Sequence, residues 1–293
     1  MANARALDKR RKSIRNIRKI TRTMELIATA RYKKAMDRAA AVTAYTEQIT
    51  RIVSRLIAAG TKVDHPLLQQ REKTNVARVL VLSSNRGLCG GYNASVMRAA
   101  MLRIEELKAS VPQVLVDVSG KRGINGLKFR NVETAQRHTQ FEDQPAYDEV
   151  EKIANDYLQQ YTLGEVDRLD VVYTKFISTS RQVAVVETLL PLGSIGGDAD
   201  SSDSEKSSEF EFLPSAESIL EEIVPTSFKI KLFKCFLDSA VSEQVARMIA
   251  MKGATESAGD MIKQLSRTYN RARQSQITGE IMEIIGGVEA LNK

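Results

Sequence analysis

Apolar residues recur at alternating three- and four-residue steps over two long stretches, one at each end of the chain. The first runs from about Ala4 to Ala59, with a stripe of Ala35, Ala39, Val42, Thr46, Ile49, Val53 and Leu56. Ile14, Ile17, Ile20, Met24 and Ile27 carry an apolar stripe through its N-terminal part. The second runs from about Ser215 to Leu291. Its stripe is Ala258, Ile262, Leu265, Tyr269 and Ala272, then, one position out of step, Ile277, Ile281, Ile284, Val288 and Leu291. Such spacing is that of coiled-coil helices. At 1.5 Å per residue, helices of this length reach roughly 80 to 115 Å, whereas a single globule of this chain length spans about 40 Å. The pattern predicts a long helical stalk standing out from a smaller domain, an architecture for mechanical or scaffolding work.

Between the stretches the period changes. After Gly60, which suits a helix C-cap, and a polar connector to about Asn75, Val76–Leu82, apolar except for Arg78, predicts a buried strand. A Gly-rich loop, Ser83 to Tyr92, follows, and Asn93 is placed to cap a helix reaching about Ala109. Val114–Val118 predicts a second strand, Gly120–Gly126 a turn, and Asp148–Tyr161 a helix. Leu169–Phe176 and Val183–Leu190 predict two more strands joined as a hairpin across Ser178–Gln182. Strands alternating with helices make a small doubly wound, Rossmann-like α/β domain. The chain thus divides into a first coiled-coil helix (1–60), a central α/β domain (75–208) that includes a Gly-, Ser- and Asp-rich loop (192–208), and a second coiled-coil helix (214–293), bent or restarted at Pro225.

Composition supports the helices and locates the charge. Aromatics are only 5% of the residues and Trp is absent, as in helical coiled-coil material. The net charge is +7, yet residues 1–38 alone hold thirteen basic side chains against three acidic ones. Residues 198–222 hold nine acidic side chains against one Lys. Such polarity points to oriented docking, with an acid-rich partner for the basic helix. Cys89 and Cys235 make neither a disulfide framework nor a zinc site, which suits a reduced compartment. No apolar run approaches the ~20 residues needed to cross a bilayer, and the N-terminus lacks the apolar core of a secretion signal.

Candidate chemistry is sparse. The loop Ser83–Asn93 could cradle phosphate at a helix N-terminus, but it matches neither dinucleotide nor P-loop spacing and lacks the P-loop Lys. A tight turn that needs Gly for its backbone is the stronger reading, with Cys89 a buried thiol. The alternative is a nucleotide-binding α/β protein with coiled-coil arms. A basic coiled-coil nucleic-acid binder is a third reading, weakened by the absence of base-reading side chains beside the cations. Two histidines, no metal-ligand spacing and no nucleophile–base pattern leave no catalytic, cofactor or metal residues to nominate. Glycines 253, 259, 279, 286 and 287 each cost roughly 1 kcal/mol in a helix relative to Ala, which suggests close packing against the other helix or a surrounding wall.

Three segments bear a resemblance. They are Lys19–Ala28 with Lys33 and Lys34, the loop Asn85–Asn93, and Tyr269–Ile284. In order and spacing they resemble the gamma subunit of F-type ATP synthase, over nearly the whole chain. The resemblance implies that the two terminal helices pair as an antiparallel two-helix coiled coil, a central rotor shaft that couples proton-driven rotation of a c-ring to conformational cycling of a catalytic head of alpha and beta subunits, with no catalytic residue of its own. It implies ring contacts at Thr23, Met24, Arg273, Gln274, Thr278 and Glu280, and a foot on the c-ring and epsilon subunit near Phe210, Glu211 and Phe212. It also implies no cofactor, no nucleic acid, and a peripheral place on the cytoplasmic face of a bacterial inner membrane, attached only through the complex. The chain departs from the family pattern at Ile285–Gly286–Gly287–Val288.

Overall fold

The structure, a computed structural model, describes residues 4–58, 66–68, 71, 73–141, 144–192 and 216–291. The elements among them are α1 (Ala4–Ala58), β1 (Val76–Leu82), α2 (Tyr92–Ser110), β2 (Gln113–Ser119), α3 (Lys121–Phe129), β3 (Gln136–His138), α4 (Tyr147–Leu163), β4 (Arg168–Ser178), β5 (Arg181–Leu190) and α5 (Ala216–Leu291). Their contacts separate two units: residues 1–29 with 247–293, and residues 30–246.

The larger unit is built on a five-stranded sheet in the order β3-β2-β1-β4-β5. β1 is the central strand and pairs in parallel with both β2 and β4. Its run Ala77–Leu82 is buried on both faces, as a parallel central strand requires. β4 and β5 form the expected antiparallel hairpin. It continues as a two-stranded ribbon beyond Val172, the last residue of β4 to pair with β1. Helices cover both faces. α2 and Leu127 of α3 close one core with Val79, Val81 and Val118. α4 and α5 close the other, where Tyr157, Tyr161, Phe228 and Phe236 meet Leu80, Leu82 and Val171. In this unit α1 packs on α5 through Ala35 and Ala39 against Leu237 and Val241.

Local structure corrects three expectations. Gly120–Gly126 is not a turn but the entry and first part of helix α3. Its glycines admit close packing at a cost in helix propensity. A Cβ on Gly123 would overlap Ser83 Oγ, and one on Gly120, at φ +98°, would overlap the Ser83 carbonyl oxygen. Asn93 does not cap α2. It lies inside the first turn and folds back, accepting from the Ser84 N–H (3.1 Å) and donating to Ser84 Oγ (2.8 Å) and Cys89 Sγ (3.1 Å). Pro225 does not break α5, which is continuous from Ala216.

In the smaller unit α1 and α5 lie antiparallel. Arg11 stacks over the Tyr269 ring at 4.6 Å, and Thr255 Oγ1 donates to Thr21 Oγ1 at 2.8 Å. The seam runs along Leu7, Ile14, Thr21, Glu25 and Ala28 of α1, all buried or half-buried. The stripe expected through Ile17, Ile20 and Ile27 lies off this seam, and all three are about half exposed. Thr21, Glu25 and Ala28 on the true seam carry a weaker apolar signal than the isoleucines beside them.

Candidate functional site

Two sites need testing against the geometry: the Gly-rich loop at the end of β1, and the exposed helical surface of the smaller unit.

The loop follows the switch point of the sheet, where a doubly wound fold takes its ligands. Here its polar groups are turned inward. Ser83 Oγ donates to the Ser119 carbonyl (2.7 Å) and accepts from the Gly123 N–H (2.8 Å). Asn85 accepts from the Lys121 N–H (3.0 Å) and donates to the Phe141 carbonyl (2.6 Å). Leu88 (φ 65°) and Gly90 (φ 55°) take the left-handed backbone that the tight turn needs. Cys89 is a buried free thiol. The crevice beyond the strands is occupied by α5: the Tyr92 hydroxyl bonds Ser239 Oγ at 2.6 Å, and Phe236, Ser239 and Glu243 line what remains. That remaining cavity, about 40 Å³, is far below the ~300 Å³ of a small-molecule pocket. The loop is a clamp between β1, α3 and α5, and the nucleotide-binding alternative finds no site here among the described residues.

A buried polar cluster on the α4 side is equally structural. Asp117, fully buried, accepts from the Tyr157 hydroxyl at 2.8 Å and lies 3.5 Å from Arg78 Nε. Burial first, then the Asp117 charge, pushes the Tyr157 hydroxyl well above its ordinary range. Burial likewise lowers His138, which stays neutral at physiological pH. These groups pin α4 to the sheet.

The helical surface differs in kind. Every residue of α5 from Arg273 to Val288 is exposed. Among them are Ile277, Ile281, Met282, Ile284, Ile285 and Val288, between 45% and 68% exposed. The stripe that the sequence assigned to the seam from Ile277 onward therefore has no partner helix among the described residues. Nor do the glycines there pack closely within the chain: a Cβ on Gly253, Gly279, Gly286 or Gly287 would meet nothing within 4 Å, and one on Gly259 only the Arg18 side chain at 3.7 Å. Among the described residues, close packing on α1 therefore does not account for Gly253, Gly279, Gly286 and Gly287. On α1 the exposed side is basic: Lys9, Arg10, Arg15 and Lys19 all face solvent.

Comparison with known proteins decides the family. A family model described as ATP synthase matches residues 3–291. The ATP synthase gamma chain of Rhodopirellula baltica is 79% identical over 294 aligned residues, 99% of each chain. The chain belongs to the ATP synthase gamma-chain family. The gamma chain of Leptospira biflexa is 38% identical over the full length of both. Among solved structures, a chain of the Euglena gracilis mitochondrial ATP synthase, described as OSCP/F1/c-ring in rotational state 3, aligns with a TM-score of 0.67 at 17% identity, over 98% of this chain and 94% of that one. A rotor chain of the same organism's enzyme in rotational state 1 aligns with a TM-score of 0.62 at 16% identity, over 94% of this chain and 98% of that one. At those identities the likeness is one of fold.

On this gamma-family chain the expected ring contacts fall into two groups, both in the smaller unit. Arg273, Gln274, Thr278 and Glu280 lie on the exposed tip of α5, where Glu280 accepts from Gln276 Nε2 at 2.9 Å. Thr23 is exposed, its hydroxyl donating to the Lys19 carbonyl at 3.0 Å, and Met24 is half-buried. Phe210, Glu211 and Phe212, and the acidic loop from residue 193 onward, lie outside the described residues. The exposed apolar side chains of the tip were in the sequence, but as members of a seam. Only the three-dimensional pairing of Arg11 with Tyr269, close to the start of α1, shows that they outrun it.

Proposed function

We propose that the chain is the central rotor shaft of an F-type ATP synthase. It couples rotation of a proton-driven c-ring to the conformational cycle of the alpha and beta subunits, in synthesis or hydrolysis of ATP. The helical segments 1–60 and 214–293 serve as the shaft and the segment 75–208 as its base. The catalytic sites belong to the head, and this chain contributes none.

The observation that carries the reading is the tip of α5. Burying a large apolar side chain stabilises by about 1.5–3 kcal/mol, so a cluster of them left in water at one helix end calls for an external wall. At 100° per residue the positions of Ile277, Ile281, Met282, Ile284, Ile285 and Val288 cover about 160° of the helix circumference. That is wider than the seam one partner helix covers, and suits an enclosing sleeve. The exposed cations of α1 supply the second contact, with acidic loops of the beta subunits as partner. Because an asymmetric shaft fits one arrangement of the head better than another, each orientation shifts the head toward the state it fits. No described helix is long and apolar enough to cross a membrane. The chain is held peripherally, at the cytoplasmic face of a bacterial inner membrane, through the c-ring and epsilon subunit. Phe210, Glu211 and Phe212 are assigned to that foot.

Co-expression with alpha and beta subunits tests the assignment. The expected result is a stable complex in which a bead fixed to the central domain turns when ATP is added. Failure to assemble, or a complex that hydrolyses ATP without turning the bead, would sink it.

A further inference from the structure

Within the larger unit, α5 crosses the β4–β5 ribbon, and the crossing is polar at its centre. Asp238 of α5 lies there, 6% exposed. Among the described residues no hydrogen bond or ion pair holds its carboxylate. The titratable groups around it come from three elements: Lys234 and Cys235 from α5, Tyr173 and Lys175 from β4, and Glu187 from β5. Glu187 is committed to the Tyr173 hydroxyl, which donates to it at 2.6 Å. One turn on, Ser242 Oγ donates to the Thr174 carbonyl at 3.1 Å. α1 packs beside the crossing through Ala35 and Ala39, and none of its charges is among those acting on Asp238.

An ionised carboxylate at this position gives up most of its water and gains no hydrogen bond among the described residues. A protonated one gives up far less. We propose that Asp238 is a proton-operated latch: protonated, it fastens α5 to the β4–β5 ribbon, and ionised, it loosens that seat. Burial pushes its carboxyl up to about 6, opposed by Lys234 and Lys175 and reinforced by Glu187. The folded value lies above the ordinary 3.8, so the closed latch is fully favoured at acid pH. Its contribution fades as pH rises toward and through about 6, and near neutrality the seat is in its looser state.

Hydrogen exchange on the full chain in its complex, corrected for the intrinsic pH dependence of exchange, tests this between about pH 5 and pH 8, a window that brackets the displaced ionisation. In the wild type, amides around residues 234–242 and 173–178 are expected to open more readily at pH 8 than at pH 5, by about tenfold from the displaced ionisation. Asp238→Asn removes the titration and should keep these amides protected at every pH. Lys175→Met removes an exposed cation that favours the ionised form, and should move the midpoint upward. A wild type without a step, or a step unchanged in Asp238→Asn, overturns the proposal. Should Asp238→Asn fail to assemble, the Lys175→Met midpoint decides, and an unmoved midpoint overturns it.

Discussion

Single residues set the precision of the central domain. Gly120 is the sharpest case, because a Cβ there overlaps the Ser83 backbone and the backbone φ is +98°. Gly120→Ala is expected to cost at least about 3 kcal/mol in urea unfolding, from strain and the backbone clash together. Tyr157→Phe removes the donor to fully buried Asp117 and should cost about 1–3 kcal/mol by leaving that acceptor short. The Tyr157 hydroxyl is held protonated well above the ordinary 10.0. Its contribution is therefore fully present below that ordinary value, and the cost of Tyr157→Phe should be equal at about pH 7 and pH 9. Arg273 behaves oppositely. It is exposed and belongs to the smaller unit, so Arg273→Ala should leave the central domain's melting temperature unchanged while weakening rotation-coupled hydrolysis in the complex. Equal losses in both would deny it a contact role.

Whole elements show where a helix has a partner and where it does not. Along α1 the seam residues Ala28, Ala35, Ala39, Thr46 and Ile49 are buried, while Ile17, Ile20 and Ile27 are turned away. Along α5 the buried run ends near Ala258, and the tip from Arg273 is open on all sides. Replacing Ile281, Ile284 and Ile285 together by Asn should change the stability of the isolated chain by no more than about 0.5 kcal/mol per site, the ordinary range for surface positions. In pull-downs with alpha and beta subunits the same triple substitution should sharply reduce assembly. Undiminished assembly would show that the tip meets no apolar wall.

For the molecule as a whole, charge placement matters more than net charge. Thirteen cations against three acids in residues 1–38 give an excess of +10, more than the +7 of the entire chain, and most of those cations are exposed. If an acidic surface of the catalytic head receives these cations, as proposed, association should slow as salt rises from about 0.05 to 0.5 M, with the screening length falling through about 10 Å near 0.1 M. A salt-independent association rate would remove electrostatics from the docking. Much of this organisation was legible beforehand. The two terminal helices, the buried β1 run, the β4–β5 hairpin and the basic N-terminus all follow from patterns within a few residues of each other. The site was legible only in part. Arg273 and Thr278 were nominated through family resemblance, whereas the reach of the bare apolar tip was not, because periodicity reports a face and not what covers it. α3 was missed because Gly123 and Gly126 weaken its helical signal, and they are there to let it approach Ser83 and Met97.

The sequence by itself determined the elements, since helix and strand periods are local properties of side-chain spacing. It also determined the charge map and the absence of a recognisable catalytic pattern. Tertiary structure decided the rest: that Asn93 closes a loop instead of capping a helix, that α5 fills the crevice where a doubly wound sheet takes ligands, that Ile277–Val288 stand free, and that Asp238 is buried without a hydrogen-bond partner among the described residues. Asn93 is held by Ser84 and Cys89, within nine positions of it, while the other three depend on which distant segment arrives at a given face. Such contacts join residues more than a hundred positions apart, as Tyr92 with Ser239 and Arg11 with Tyr269 do, and no local period encodes them.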